Sequence, residues 1–515
     1  MIKNNPVKSF FKFINYKKLI LLSYKKIKKE NLNLLTKINN ELMMVDFISI
    51  DEYKKFKIND LNISYNDFQN SIRQYYFTKL LNFRVNKFIL IFKSLNLSLI
   101  YPLPRKQLQI LNKYIKVNFF LSGFAYFILS FYEILKSLIN IVNLYLHSKN
   151  FEYIDDGAYF FKLKNKNLVT NNFNNFGLVN YAFTNFLNEK NTFIHSIKNF
   201  KSDKLKYSKS IFKLEYSNKN LITLFSLFAN FIKISLLKKN FSLFFFFREI
   251  SICFLLNNQK NKSFYDSYFF SHDNFYRPLW TFIAENKGSM IYLYFYSLNN
   301  EFTKYKNYDF RYITPLSLYT WNNFYVWSIS HEKYLKKIIP SNDKNNFILK
   351  PPVSYFTNNK KIDNIPRVLA FDIVPHSLVN YATYGKPYEY ELFWKTSNLF
   401  LNDILELSKK YNFKFALKIK RQNNLADKKY MNLIETLISN DNFILYDESF
   451  SPEQIISTNS IVICFPFTSP AYFAKNINAK TIYYDPLSII KNNDLSDIEL
   501  ISGIQNLDKY FLETL

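Results

Sequence analysis

The spacing of apolar residues divides the chain into a helical first part and a mixed last part. From Leu80 to His147, Leu, Ile and Phe recur at helical spacing, which predicts packed helices. Beyond about residue 285, short β-branched and aromatic runs alternate with helical periods, as in an α/β domain. The predicted elements there are strands at Met290–Ser297, Asn322–Ser328 and Asn346–Lys350, and a helix at His331–Ile339. The Pro- and Asn-rich segment Pro351–Pro366 then predicts a domain boundary.

The last 150 residues repeat a strand-then-helix pattern. The predicted strands are Arg367–Ile373, Phe413–Ile419, Phe443–Tyr446, Ser460–Phe465 and Thr481–Asp485. The predicted helices are Trp394–Tyr411, Asp427–Ile438, Pro452–Ser457 and a helix after Pro470. Alternating elements of this kind predict a parallel, doubly wound sheet with right-handed crossovers. Ligands of such sheets bind at the carboxyl ends of the strands, so the residues after each strand are the first candidates for a site.

Three apolar stretches are long enough to raise the question of a membrane. Val117–Leu135 reaches spanning length, but Asn118, Ser122, Ser130 and Glu133 interrupt it, and we therefore favour a buried or interface-lying helix over a spanning one. The same alternatives, core packing or peripheral membrane contact, apply to Leu221–Leu237 and Phe241–Leu256. The Lys-rich N-terminus has no small-residue cleavage site after a clean apolar core, which indicates a basic amphipathic helix and not a signal peptide.

Composition excludes several classes of protein. The 515 residues include only six glycines, none within one motif of another, which removes the dinucleotide fingerprint and the Walker A loop. The five histidines and two cysteines show no metal-site spacing, so a structural zinc site is unsupported. A net charge of +28 would attract nucleic acid, anionic lipid or phosphorylated substrates, although abundant Lys and Asn with scarce Gly, Ala and Pro also fit an AT-rich genome.

Polar residues follow four of the predicted strands. Pro466, Thr468 and Ser469 lead into a helix, where hydroxyls and free N–H groups would hold a phosphate or carboxylate; an ordinary N-cap is the alternative. The other candidates are Lys418, Lys420 and Arg421 for a diphosphate, Asp372 and His376 as acid, base or sugar-orienting groups, and Tyr484 and Asp485 for sugar or ribose hydroxyls. Their alternatives are a solvated basic run, a structural histidine and a capped turn.

A series of motifs in the last half of the chain supports a family resemblance. They are RPLWTFIAENKGS (Arg277–Ser289), LYFYSLNN, VWSISHEKYLKK, VLAFDIVPH, KTSNLFLNDI, KIKR and ICFPFTSPAYFAKNINAKTIYYDP. In this order they resemble the polysaccharide biosynthesis PFTS-motif proteins of bacterial surfaces, over roughly residues 270 to 490. The family pattern favours small residues and Gly in the helix that here begins AYFAKNI, and the low glycine content fits that departure.

The resemblance implies an α/β, GT-B-like fold, in which two Rossmann-like domains face a cleft and an additional helical region precedes them. We expect a helical, basic and amphipathic region over 1–150, a Rossmann-like domain over 151–355 and a nucleotide-binding Rossmann-like domain over 365–515. The implied enzyme is a glycosyltransferase that uses a nucleotide sugar to build capsule, O-antigen or lipopolysaccharide. It needs no metal, because basic groups and a helix N-terminus stabilise the leaving diphosphate.

The resemblance also implies roles for the candidate residues. The diphosphate would lie against Lys418, Lys420, Arg421, Pro466, Thr468 and Ser469, and the sugar or ribose against Tyr484 or Asp485. The general base would come from the other domain, where Glu285 and His272 are nearest the recognised motifs. Glu285 has the alternative of a surface carboxylate paired with Lys287.

The expected partners are a nucleotide sugar and a glycan or lipid-linked acceptor, and no nucleic acid, because the Lys and Arg residues are spread over all segments. We expect a cytoplasmic protein that the basic amphipathic stretches would hold at the inner membrane. Three alternatives stay open: a sugar-nucleotide epimerase or polyol-phosphate transferase of the same architecture, a basic nucleic-acid-binding protein, and a noncatalytic scaffold for polysaccharide export.

Overall fold

The structure is a computed structural model that describes most of the helical part and most of both sheets. The described residues are 34, 37–38, 41–42, 44–76, 89, 91–93, 95–146, 160–163, 167–171, 192–195, 218–238, 240–258, 266–271, 277–288, 290–295, 318–339, 345–349, 365–376, 387–419, 426–446, 450–466, 468–490 and 497–515. His272, Lys420 and Arg421 lie outside these residues, as does most of the predicted boundary segment Pro351–Pro366.

The first half contains a helical layer and a mixed sheet. The helices are α1 (Ile50–Lys55), α2 (Tyr65–Tyr76), α3 (Arg105–Asn112), α4 (Phe119–Leu146), α5 (Asn218–Lys238), α6 (Phe247–Asn257), α7 (Trp280–Asn286) and α8 (Ile329–Ile338), with 3-10 turns at Ile58–Leu61 and Ser242–Phe246. The strands are β1 (Phe160–Leu163), β2 (Asn167–Asn171), β3 (Thr192–His195), β4 (Asp266–Ser271), β5 (Ile291–Phe295), β6 (Asn323–Val326) and β7 (Asn346–Leu349).

These strands form one sheet in the order β3-β1-β2-β4-β5-β6-β7. The pairs from β2 to β7 are parallel, and β1 pairs antiparallel with both β2 and β3. One hydrophobic core joins this sheet to the helical layer, with Phe231 of α5, Phe247 of α6 and Phe324 of β6 among its buried members. The helices before and after residue 150 therefore share a core with the first sheet.

The second half is a six-stranded parallel sheet with helices on both faces. Its strands are β8 (Val368–Phe371), β9 (Phe415–Lys418), β10 (Phe443–Tyr446), β11 (Ile461–Cys464), β12 (Lys480–Asp485) and β13 (Glu499–Ser502). Its helices are α9 (Pro387–Lys410), α10 (Lys428–Ile438), α11 (Pro452–Ile455), α12 (Ser469–Asn476) and α13 (Ile504–Thr514). The core on one face includes α9, α10 and α13, and the core on the other includes α11 and α12.

The sequence pattern located most of these elements. Every strand predicted after residue 285 is present, and the fully buried runs of β8, β9 and β11 are typical of a parallel sheet that is covered on both faces. After residue 285 two elements were missed, the edge strand β13, whose segment Glu499–Ser502 carries no continuous apolar run, and helix α13. Before it, strands β1–β4 were not predicted.

The three apolar stretches have different outcomes. Core packing is confirmed for Phe241–Leu256, most of which is buried. Helix α5 is divided between buried residues and exposed ones such as Leu237. Helix α4 was expected to be buried or interface-lying, and burial is wrong for most of its length, since only 17% of its most apolar window is buried. By length and composition alone, α4 and α5 are both apolar enough to cross a membrane.

Candidate functional site at the switch point of the second sheet

The strand order of the second sheet reverses between two neighbouring strands. The order is β10-β9-β8-β11-β12-β13, so the chain moves outward from β8 to β10 and then returns to the other side of β8. Counted from β8, this is the Rossmann order 3-2-1-4-5-6. At such a reversal the connections leave toward opposite faces, and the crevice between them is where open α/β sheets bind ligands. The reversal therefore places the candidate site after β8 and β11.

The two loops at this point are in direct contact. Phe371 of β8 is opposite Cys464 of β11, and the next N–H, that of Phe465, donates to the Phe371 carbonyl at 2.7 Å. Asp372–His376 and Pro466–Ser469 thus begin side by side. The structure brings together two groups of candidates that the sequence could only assign to separate strand ends.

The loop after β8 is held by helices on one face. The Asp372 carboxylate is buried and accepts a hydrogen bond from the Tyr430 hydroxyl of α10 at 2.7 Å. Burial raises the pKa of Tyr430, and the neighbouring Asp372 adds to this effect, so the phenol stays protonated and donates. Further along, Asp427 N–H donates to the Pro375 carbonyl at 2.8 Å, and His376 forms a β-bridge with Ala426. These contacts fix the loop and leave His376 half-buried.

The loop after β11 enters α12 without a side-chain cap. Thr468 is at the N-cap position, but its hydroxyl donates backward to the Phe465 carbonyl at 2.8 Å and does not accept from the first turn. Ser469 is the first helical residue and is half-buried, and Pro470 follows it. The ordinary Ser or Thr cap, the alternative considered for this motif, is therefore not formed. The Thr468 hydroxyl therefore does not cap the positive end of the helix dipole.

The remaining candidates of the second sheet lie at other positions. Lys418 is buried at the end of β9, beside Tyr446 of β10. The Tyr484 hydroxyl donates to Asp403 of α9 at 2.5 Å, and burial together with that carboxylate raises the pKa of Tyr484. Tyr484 thus belongs to the core on the α9 face.

Asp485 caps a turn, which was the structural alternative to a role in binding hydroxyls. Its side chain is fully buried, and one carboxylate oxygen accepts from Ile490 N–H at 2.6 Å. Its carbonyl accepts from Gly503 N–H at 2.9 Å, where Gly503 has a φ of 77°.

Glu285, the candidate base in the first half, belongs to a buried ion pair. Its carboxylate lies 2.5 Å from Nη2 of Arg277 and accepts from the Asn322 amide at 3.1 Å. Arg277 is 1% exposed and lies over the Phe282 ring at 3.9 Å. Lys287, the alternative partner, donates to the Leu256 carbonyl at 2.6 Å.

Residues that the sequence reasoning did not select join the first sheet to α12. The buried Ser330, in the first turn of α8, lies 3.2 Å from the Tyr472 hydroxyl and donates to the Asp497 carboxylate. The rings of Trp327 and Phe473 pack at 5.6 Å. The helix that follows the Pro466–Ser469 loop is therefore anchored on the carboxyl end of β6. Trp327 and Ser330 lie in the motif VWSISHEKYLKK, and Tyr472 and Phe473 lie in ICFPFTSPAYFAKN. That both segments are motifs of the resemblance was the sequence signal that could have pointed to these residues.

His331 holds the segment that precedes α8 in place. Its Nδ1 accepts from Trp327 N–H at 3.3 Å, and its own N–H donates to Ser328, the N-cap of α8, at 3.1 Å. Complete burial lowers the pKa of His331 to about 3, so the ring is neutral at physiological pH. Within the described residues, no group of three His, Cys, Asp or Glu side chains is placed to hold a metal ion.

Comparison with known proteins identifies the family. The model of the polysaccharide biosynthesis PFTS motif proteins matches residues 220–511, more than half of the chain. The chain belongs to this family. The match begins earlier and ends later than the 270–490 expected from the motifs, and it includes α5, α6, β13 and α13. Of the Pro466–Ser469 motif itself, the structure describes all residues except 467.

Other comparisons add little. No curated protein matches this chain. Among solved structures, the crystal structure of TarM matches with a TM-score of 0.30 and 14% identity, over 52% of this chain and 51% of TarM. The aligned part is thus about half of each chain, and so loose a superposition carries no argument about fold or activity.

Proposed function

We propose that this family member is a glycosyltransferase with a GT-B-like architecture, which transfers a sugar from a nucleotide donor during synthesis of a bacterial surface polysaccharide. Its membership in a polysaccharide biosynthesis family gives the process. The observation that supports a nucleotide donor is the reversal of strand order between β8 and β11, because open α/β sheets bind ligands at such a reversal, and the family's own motif follows β11.

The donor diphosphate would lie at the N-terminus of α12. A helix start with an unengaged cap position attracts anions through its N–H groups and dipole, and here the Thr468 hydroxyl is turned away from the first turn. Ser469 would donate its hydroxyl to a phosphate oxygen. Lys418, Lys420 and Arg421 stay candidates for binding the negative charge of the diphosphate, since they end or follow β9, the neighbour of β8. In this proposal no metal is needed, because these groups stabilise the leaving diphosphate.

The acid–base groups belong to the loop after β8 or to the first half. His376 is half-buried at the crevice and could exchange a proton with a sugar hydroxyl, whereas Asp372 would orient its loop through Tyr430. Glu285 is a weaker candidate base because its carboxylate neutralises Arg277. His272 remains a candidate for the same role. The acceptor would be a glycan or lipid-linked sugar.

The experiment is thermal unfolding of the full chain with a panel of nucleoside mono- and diphosphates. A ligand that binds only the folded state raises the melting temperature by mass action. At a concentration of 100 times its Kd it stabilises the fold by about 2.7 kcal/mol. We expect a shift with one base and a larger one with the diphosphate. Ser469→Ala should weaken binding by about tenfold, the loss of one hydrogen bond to a charged group.

Ser439→Ala is the matched control. Ser439 is an exposed residue at the end of α10, and among the described residues its hydroxyl bonds only to the Glu435 carbonyl, at 3.5 Å. This variant should bind the nucleotide as wild type does. Folded protein that shifts with none of the nucleotides would contradict the proposal and favour the scaffold, and a shift with oligonucleotides alone would favour a nucleic-acid-binding protein.

A further inference from the structure

The helix α4 has the reverse of the usual distribution of side chains for a helix in water. Its buried residues are four or seven positions apart, on one side of the helix, and three of the five are serines: Ser122, Tyr126, Ser130, Ser137 and Ile141. Its exposed residues are mostly large and apolar, namely Phe119, Phe120, Leu121, Phe124, Phe127, Ile128, Phe131, Tyr132, Leu135, Leu138, Ile139 and Val142. Exposed apolar patches of this extent mark surfaces that bind a protein or a membrane.

The inner face of α4 makes polar contacts with neighbouring segments. The Ser122 hydroxyl accepts from Tyr101 N–H at 3.1 Å, and the Tyr126 hydroxyl bonds to Ser242 at 3.0 Å. Small residues facing the protein and large apolar residues facing outward are the arrangement found where the surroundings are lipid. The orientation of α4 is thus fixed by its polar inner face, and the apolar face is left outside.

Cations lie beside one end of this face. A groove of about 900 Å³ runs between the starts of α3 and α4 and the end of α5, and its lining includes Phe120 together with Arg105, Lys106 and Lys238. These three cations are exposed and form no ion pair with any described residue.

The two acids of the groove are already engaged. Asp46 is paired with Arg73 at 2.7 Å, and Glu52 accepts from Ser49 N–H at 2.7 Å in a capping box. With Asp46 paired to Arg73, three cations face the single remaining acid, Glu52, so the groove keeps an excess of positive charge next to an apolar surface. This is the complement of an anionic phospholipid headgroup next to its acyl chains.

We propose that the exposed face of α4 lies on an anionic phospholipid bilayer, with its phenylalanines in the headgroup–acyl boundary and Arg105, Lys106 and Lys238 on lipid phosphates. The helix lies along the surface and does not span, because its inner face and α5 are built into the domain: Ile141 and Phe231 share one core with β6. This inference goes beyond the donor site and does not depend on it.

The test is flotation of the full chain with vesicles of phosphatidylcholine alone or with added phosphatidylglycerol. Wild type should bind the anionic vesicles more tightly. The variant Phe120→Ser/Phe124→Ser/Phe131→Ser should lose at least about tenfold in affinity through lost apolar burial. Each Gln replacement of Arg105, Lys106 or Lys238 should cost about fivefold on anionic vesicles, and little on neutral ones.

The matched control is Ile438→Ser/Leu512→Ser. These side chains of α10 and α13 are 54% and 72% exposed and lie on the second half of the chain, so loss of apolar surface there should leave vesicle binding unchanged. All variants should unfold as wild type does, because every substituted side chain is exposed. Nucleotide-induced thermal shifts should also persist in the phenylalanine variant, which separates this inference from the donor site.

Four outcomes would overturn the inference. Wild type that does not float with anionic vesicles, or a phenylalanine variant that floats as well as wild type, would show that α4 is not the contact. A wild-type dimer in solution that the same variant dissociates would assign the face to a second copy of the chain. Membrane-bound protein that resists alkaline carbonate extraction would show a spanning helix instead of one lying on the surface.

Discussion

Replacing Glu285 with Gln tests whether this carboxylate stabilises the fold through its ion pair with Arg277. The Arg277 guanidinium, 1% exposed, would then keep its bonds to Thr281 (2.9 Å) and to the Thr320 carbonyl but lose its only carboxylate partner within the described residues. Removing one member of a buried pair outright costs about 3–5 kcal/mol. Gln retains an acceptor oxygen at the same place, and the Glu285 side chain is 18% exposed, so we expect a loss of about 2 kcal/mol.

The assay is denaturant unfolding followed by tryptophan fluorescence. Trp321, one of four tryptophans, has its ring centroid 5.6 Å from the Arg277 guanidinium, so part of the emission comes from this region. Glu332→Gln is the control, since it breaks an exposed ion pair with Lys336 on α8 and should change stability by less than about 0.5 kcal/mol. A Glu285→Gln variant as stable as wild type would refute the reasoning and return Glu285 to the list of candidate bases.

Two further predictions concern the contact between α8 and α12. The neutral, buried His331 makes the folded state lose stability as pH falls from the unfolded pKa, about 6.5, toward the folded pKa of about 3, because only the unfolded chain takes up the proton. We expect a loss of about 2 kcal/mol by about pH 5, absent in His331→Asn, and equal pH dependence in the two proteins would disprove it. Tyr472→Phe removes the hydroxyl that lies 3.2 Å from Ser330 and should lower the free energy of unfolding by about 1 kcal/mol, measured by urea unfolding. The control Tyr132→Phe, on the exposed face of α4, should not change it measurably. A Tyr472 variant as stable as wild type would count against the contact.

Local pattern was sufficient for most of the second sheet. Strands such as β8 and β11 are short, fully buried apolar runs between turn residues, and the helices between them have one apolar face. The edge strand β13 has a single buried residue among four, so it left no comparable signal. Helix α4 was evident from its apolar spacing, but its orientation depends on contacts of its inner face, such as those of Ser122 and Tyr126, which sequence alone does not show.

The candidate site was predictable only in part, because it depends on which strands are neighbours. The motif after β11 and the polar residues after β8 could each be assigned to a strand end. Their proximity follows from the reversal of strand order, which is a non-local property. Tyr484 shows the limit of the strand-end argument: adjacent residues of a strand point to opposite faces, and this one is directed at Asp403 of α9. The role of Ser330 and Tyr472 likewise required the packing of two distant motifs.

The location of the donor site can be measured by hydrogen–deuterium exchange of the full chain with and without the nucleoside diphosphate that gives the largest thermal shift. Binding at the switch point should slow exchange in peptides that cover residues 368–376 and 461–476, and the Ser469→Ala variant should show less protection at the same nucleotide concentration. Protection confined to the first sheet, or none in either segment under saturating nucleotide, would contradict a donor site between β8 and β11.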